Sequence, residues 1–252
     1  MTIARRLVAE GLGTAFLLAV VVGSGIMAER LAGGNLAIAL LANALATGAG
    51  LLALILMFGT ISGAHFNPVV TLSEVWQQNM PAAEVAPYIA VQLIGAFAGV
   101  AAAHGMFGDP LFFASQHGRT GAAQWWSEFV ATFGLIAVII GCSRSRPGIT
   151  PVAVAAYIVA AYWFTSSTSF ANPAVTLARS ATGTFTGIRL ADVPGFIVAQ
   201  LLGAAAATLV FCWLYPPAPR GATVGGTVAP SDFADGVSPD PKLKSENEKN
   251  HV

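Results

Sequence analysis

Long apolar blocks, separated by short polar or glycine-rich breaks, fill the chain from its start to about residue 215. A block that crosses the hydrocarbon of a bilayer as a helix needs about 20 residues. Six blocks approach that length: Leu7 to Ala28, Leu36 to Phe58, Val85 to Met106, Trp126 to Cys142, Pro151 to Phe164 and Phe196 to Tyr215. The fifth is the least sharply bounded. The pattern predicts an all-α membrane protein with six transmembrane helices and both termini on one side. Arg5 and Arg6 precede the first block as they would in a signal peptide. That block is longer than a cleaved signal's apolar core and is followed by further spans, so it is expected to remain as a membrane helix.

The chain also repeats itself. Glu10 and Thr14 in EGLGTAFLLAV recur as Glu128 and Thr132 in EFVATFGLIAV. Asn67 to Leu72 (NPVVTL) recurs as Asn172 to Leu177 (NPAVTL), and Gln92, Gly95 and Ala96 recur as Gln200, Gly203 and Ala204. The first repeat covers about 1–108 and the second about 124–215 of one domain spanning 1–215. Each repeat holds three spans, so the second enters the membrane from the opposite side and equivalent segments meet near the midplane. The two Asn-Pro segments are too short to cross and too polar to face lipid, which predicts re-entrant half-helices. Proline suits a first helical turn and asparagine caps it, so both half-helices start at the Asn-Pro pairs and turn their positive ends toward each other.

These paired NPVVTL and NPAVTL segments, the two Glu-plus-Thr starts and the two Gln-x-x-Gly-Ala runs resemble the major intrinsic proteins, the superfamily of aquaporins and glycerol facilitators. The resemblance runs from about Ala9 to Tyr215. It implies the aquaporin-like fold of six transmembrane helices plus two half-helices, and a homotetramer with one pore per subunit. The partners expected are water, small neutral solutes and membrane lipid.

The candidate pore motifs are Asn67, Pro68 and Val69 with Asn172, Pro173 and Ala174. Two side-chain amides aimed into a narrow lumen can donate to a passing hydroxyl; capping alone is the plainer role. Val69 replaces the usual alanine and is expected to pack between the half-helices. Glu10 and Glu128 are carboxylates inside apolar helices, expected to accept backbone N–H bonds from the loops rather than touch solute. His65 either lines a pore mouth or bonds a loop. The pairs Gly95 with Gly99 and Gly203 with Ala207 read as close helix packing.

The resemblance maps a selectivity filter onto Thr47, Ala160, Ser169 and Val175. Most members place arginine where Val175 stands, and arginine would add a cation and several donors. The filter is therefore expected to be wide and weakly charged, suited to glycerol or to the undissociated acids of arsenic, antimony, boron and silicon. Thr47 with Val175 resembles a bacterial branch of aquaglyceroporins associated with arsenic resistance. A general glycerol or water facilitator without an arsenic role is the alternative.

Composition narrows the classes further. The chain is 55% hydrophobic and 10% charged, which excludes an ordinary water-soluble domain. A formal net charge of zero gives no hint of a nucleic-acid partner. With Arg5, Arg6, Arg144, Arg146, Arg220 and the tail lysines inside and Arg30, Arg119, Arg179 and Arg189 outside, cytoplasmic termini are expected; the resemblance implies a bacterial-type inner (plasma) membrane. After Tyr215 the composition turns to Pro, Gly, Ser, Asp and Lys, the signature of a disordered cytoplasmic tail over 216–252. Cys142 and Cys212 lack metal-ligand spacing, and the four histidines form no catalytic constellation, so no metal, cofactor or enzyme activity is expected. A secondary active transporter would also use inverted repeats, but the pore motifs hold no carboxylate for ion coupling.

Overall fold

The structure, a computed structural model, describes residues 1–215. The expected tail over 216–252 lies outside the described residues. Eight helices organise them: α1 (Ile3–Leu31), α2 (Leu36–Ser62), α3 (Pro68–Trp76), α4 (Val85–Phe107), α5 (Ala122–Ser145), α6 (Thr150–Phe164), α7 (Pro173–Ala178) and α8 (Val193–Leu214). Six are long and apolar enough to cross a membrane, α6 together with the turn Pro147–Ile149 that precedes it. Most spans run several residues beyond the apolar blocks, because a helix's hydrogen bonds continue past the point where hydropathy falls. The protein is a multi-pass membrane protein.

Chain-local chemistry sets the ends. Asn35 caps α2 by accepting from the N–H groups of Ala37 and Ile38 at 3.1 and 3.2 Å. Gly63, at φ +93°, stops α2 and turns the chain back into the bundle. Asn67 and Asn172 cap the half-helices α3 and α7, each followed by proline at the first helical position.

The repeats pack alike: α1 lies against α4 as α5 lies against α8, and α2 meets α6 across the bundle. Both main pairs close onto backbone. A Cβ on Gly95 would sit 2.2 Å from the carbonyl oxygen of Gly11, and one on Gly203 would sit 2.4 Å from that of Phe129. Val69 is fully buried, but it joins Ile136 and Ile140 of α5 and Ala204 and Ala207 of α8. Its extra bulk is thus absorbed by the long helices, which corrects the expectation that it packs between the half-helices.

Gly203→Ala should lower the stability of the detergent-solubilised protein by about 1–3 kcal/mol through this clash. Gly59→Ala, with no atom within 4 Å of the added methyl, should not. Thermal unfolding of both variants checks the contrast.

Candidate functional site

Two loops lead into the half-helices, and both hold non-glycine residues in the left-handed region. Ala64 and Phe66 have φ of 52° and 49°, and Ser169 and Ala171 have 51° and 49°. Such backbone persists only where its surroundings over-determine it. Here the buried Glu10 does so: Oε1 accepts from Ser62 Oγ (2.7 Å) and His65 N (2.9 Å), and Oε2 from Phe66 N (2.8 Å) and Gln92 Nε2 (2.9 Å). Glu128 accepts from Phe170 N (2.9 Å), Ala171 N (2.9 Å) and Gln200 Nε2 (2.6 Å). Because a trans peptide points its C=O opposite its N–H, the carbonyls of Ala64, His65, Ser169 and Phe170 face away from the glutamates. The same four residues line a central cavity.

The two glutamines extend the pattern. Gln92 and Gln200 also donate to Thr71 Oγ1 (3.1 Å) and Thr176 Oγ1 (2.8 Å), hydroxyls that in turn donate to the Asn67 and Asn172 carbonyls at 3.2 and 2.7 Å. The asparagine side chains join the repeats. Asn67 Nδ2 donates to the Ala171 carbonyl and Asn172 Nδ2 to the Phe66 carbonyl, both at 2.8 Å. Each Oδ1 caps its own half-helix, and an amide nitrogen carries two protons, so one N–H of each remains over at the cavity wall. Capping and pore lining are compatible in these residues.

The cavity, about 260 Å³, passes both asparagines. At the end of the bundle that holds the N-terminus, His65, Glu74, Ser143 and Thr150 line it. His65 both lines this mouth and pairs its Nδ1 with Thr71 Oγ1 at 3.1 Å. At the far end the lining is Thr47, Tyr162, Ser169, Val175 and Arg179. Thr47 accepts from the Tyr162 hydroxyl at 3.3 Å, and the buried Ser169 hydroxyl has no protein partner among the described residues.

Two expectations need correction here. Ala160 is exposed on the outer side of α6, and its neighbours Ile158 and Tyr162, four residues apart and hence on one helix face, line the cavity instead. The far end, expected to be wide and weakly charged, also holds the Arg179 guanidinium and the Tyr162 ring. Arg179, counted in the sequence as an outer-loop charge, is 2% exposed and lies inside the bundle. Its side chain sits one turn beyond Val175 on the same face of the chain. That i, i+4 spacing from Val175 was the available signal for Arg179. Glu74, also unassigned in the sequence, has the same spacing from Val70, which lines the cavity too.

A family model described as Major intrinsic protein matches residues 1–159 and 144–238. The chain belongs to this family. Aquaglyceroporin AqpS of Rhizobium meliloti (strain 1021) is 53% identical over 214 residues, covering 85% of this chain and 91% of the relative. The probable aquaporin AqpM of Archaeoglobus fulgidus is 30% identical over 248 residues, covering 85% and 97%. The solved aquaglyceroporin of Plasmodium falciparum shares the fold, with a TM-score of 0.62 at 19% identity over 85% of this chain and 96% of that one. Members of the major intrinsic protein family are passive channels, not enzymes, and this member is a channel.

Glu128→Leu in this major intrinsic protein removes the acceptor for two buried backbone N–H groups. At about 1–3 kcal/mol for each unsatisfied donor, the loop should lose about 2–6 kcal/mol. Thermal unfolding and vesicle water flux should both fall, although Glu128 does not itself line the cavity.

Proposed function

We propose that this channel passes water, glycerol-like polyols and undissociated metalloid acids such as arsenious acid. In this reading it sits in a bacterial plasma membrane as a homotetramer with one pore per subunit and its termini in the cytoplasm. The observation that carries the proposal is the single cavity running past both asparagines, with loop carbonyls on one wall and Leu17, Val21 and Leu135 on others. A hydroxyl that sheds water without a replacement bond costs about 1–3 kcal/mol. Carbonyl acceptors and the spare amide N–H groups supply those replacements in succession, while the apolar walls accept the carbon face of a polyol.

Solutes larger than water are supported by Val175, together with the short side chains of Thr47 and Ser169, and by the 53% identity to a protein named an aquaglyceroporin. The bacterial source of that relative supports the plasma membrane. Metalloid acids are favoured by the likeness of Thr47 and Val175 to the arsenic-associated branch. Arg179 and Tyr162 line the same end of the cavity as Val175.

Stopped-flow measurements on vesicles holding the purified protein, compared across water, glycerol, urea and arsenious acid, test the proposal. Flux of water alone would refute the polyol reading, and glycerol flux without arsenious acid would select the general facilitator. Asn172→Leu, which cannot donate to solute or cap α7, should reduce all fluxes to near the protein-free level in correctly inserted protein. Val175→Arg should narrow the far end and add a second cation one turn from Arg179. The ratio of glycerol to water flux should then fall, whereas an unchanged ratio would remove Val175 from the selective wall.

A further inference from the structure

We propose that Arg179 is the fixed cation of this lumen and the residue that sets its discrimination against cations, from one helical turn beyond Val175. The inference rests on the channel reading and adds to it a residue that decides which solutes are refused.

Arg179 lines the cavity although it is 2% exposed, and among the described residues it takes part in no ion pair. A buried cation without a counter-ion is costly in a membrane and marks a functional position. What holds it in place is neutral. Its Nε donates to the Thr186 carbonyl, and its guanidinium carbon lies 3.4 Å from the centre of the Phe170 ring. Because neither partner carries a negative charge, the positive charge stays available to the solute path.

The loop that provides the carbonyl is itself anchored. His104 Nδ1 donates to the Leu111 carbonyl at 2.8 Å, and its Nε2 pairs with Thr182 Oγ1 at 2.8 Å. The row continues through Thr184 at 2.9 Å to Thr186 at 3.3 Å. Arg179 is thus gripped from outside its own half-helix.

The repeat gives a second argument. Glu74 lies seven residues after Asn67 and Arg179 seven after Asn172 (74 − 67 = 179 − 172), so they are equivalent positions, and both line the cavity. The two mouths carry opposite charges. A cation drawn toward Glu74 then meets the positive ends of two half-helices and Arg179 beyond them. The long-range charge at the far end is the one that Val175 does not supply.

Arg179 could instead serve only to tie the far loop to α7, and two variants separate these roles. Arg179→Gln and Arg179→Lys are placed in vesicles, and water flux and potassium flux under an imposed gradient are measured for each and for the parent. The parent and Arg179→Lys should stay tight to potassium, while Arg179→Gln should raise potassium flux relative to its own water flux about tenfold or more. Arg179→Gln that carries water yet stays as tight as the parent overturns the proposal. So does Arg179→Lys that leaks as freely as Arg179→Gln. If Arg179→Gln does not insert, Arg179→Lys decides: tight supports the fixed-cation role, leaking overturns it. A parent protein that passes no water would defeat the channel reading itself, whatever the variants do.

Discussion

Backbone that leaves helical geometry inside a membrane must find hydrogen-bond partners within the protein, since hydrocarbon supplies none. The rest of this structure depends on how two glutamates meet that demand. Glu10 and Glu128 take up the N–H groups on one side of each loop, which leaves the carbonyls on the other side for the cavity. A substitution at either glutamate therefore alters both the fold and the row of acceptors. The long helices are positioned to serve this arrangement: α1 and α5 carry the glutamates, α4 and α8 the glutamines, and glycine contacts bring the pairs within reach.

The asparagines close the arrangement by binding across the twofold. Each half-helix is capped by its own asparagine oxygen, and each loop is held by the other's amide. Neither half completes its loop alone. This mutual dependence accounts for two short helices, of nine and six residues, standing at membrane depth where isolated helices of that length would not form.

Much of this was legible in the sequence because it is written twice. Asn-Pro pairs, acids in apolar runs and glutamines at matching offsets stand out when each has a partner at the same place in the other repeat. The filter was less legible. A span with apolar residues on all sides, such as α6, gives no phase by which to choose between Ala160 and Tyr162; only tertiary contacts fix its rotation. Arg179 was misplaced for a related reason. A lone arginine just after a short apolar segment reads as a loop charge, and its burial depends on Phe170 and on the carbonyl of a loop further along the chain. The helix ends were blurred because hydropathy reports the solvent of a residue, not its hydrogen bonding.

The repeats are alike in backbone but have parted in side chains. Phe66 fills the space left by Gly13, whereas its counterpart Ala171 shares a cluster with Ala131, the counterpart of Gly13. Volume has been traded between loop and helix in one half and not in the other. Two copies of the first half would bring a carboxylate to both mouths, and two copies of the second a guanidinium to both. With halves this different, the peptide linking them acts as a stoichiometry device, ensuring that every pore is assembled from one of each.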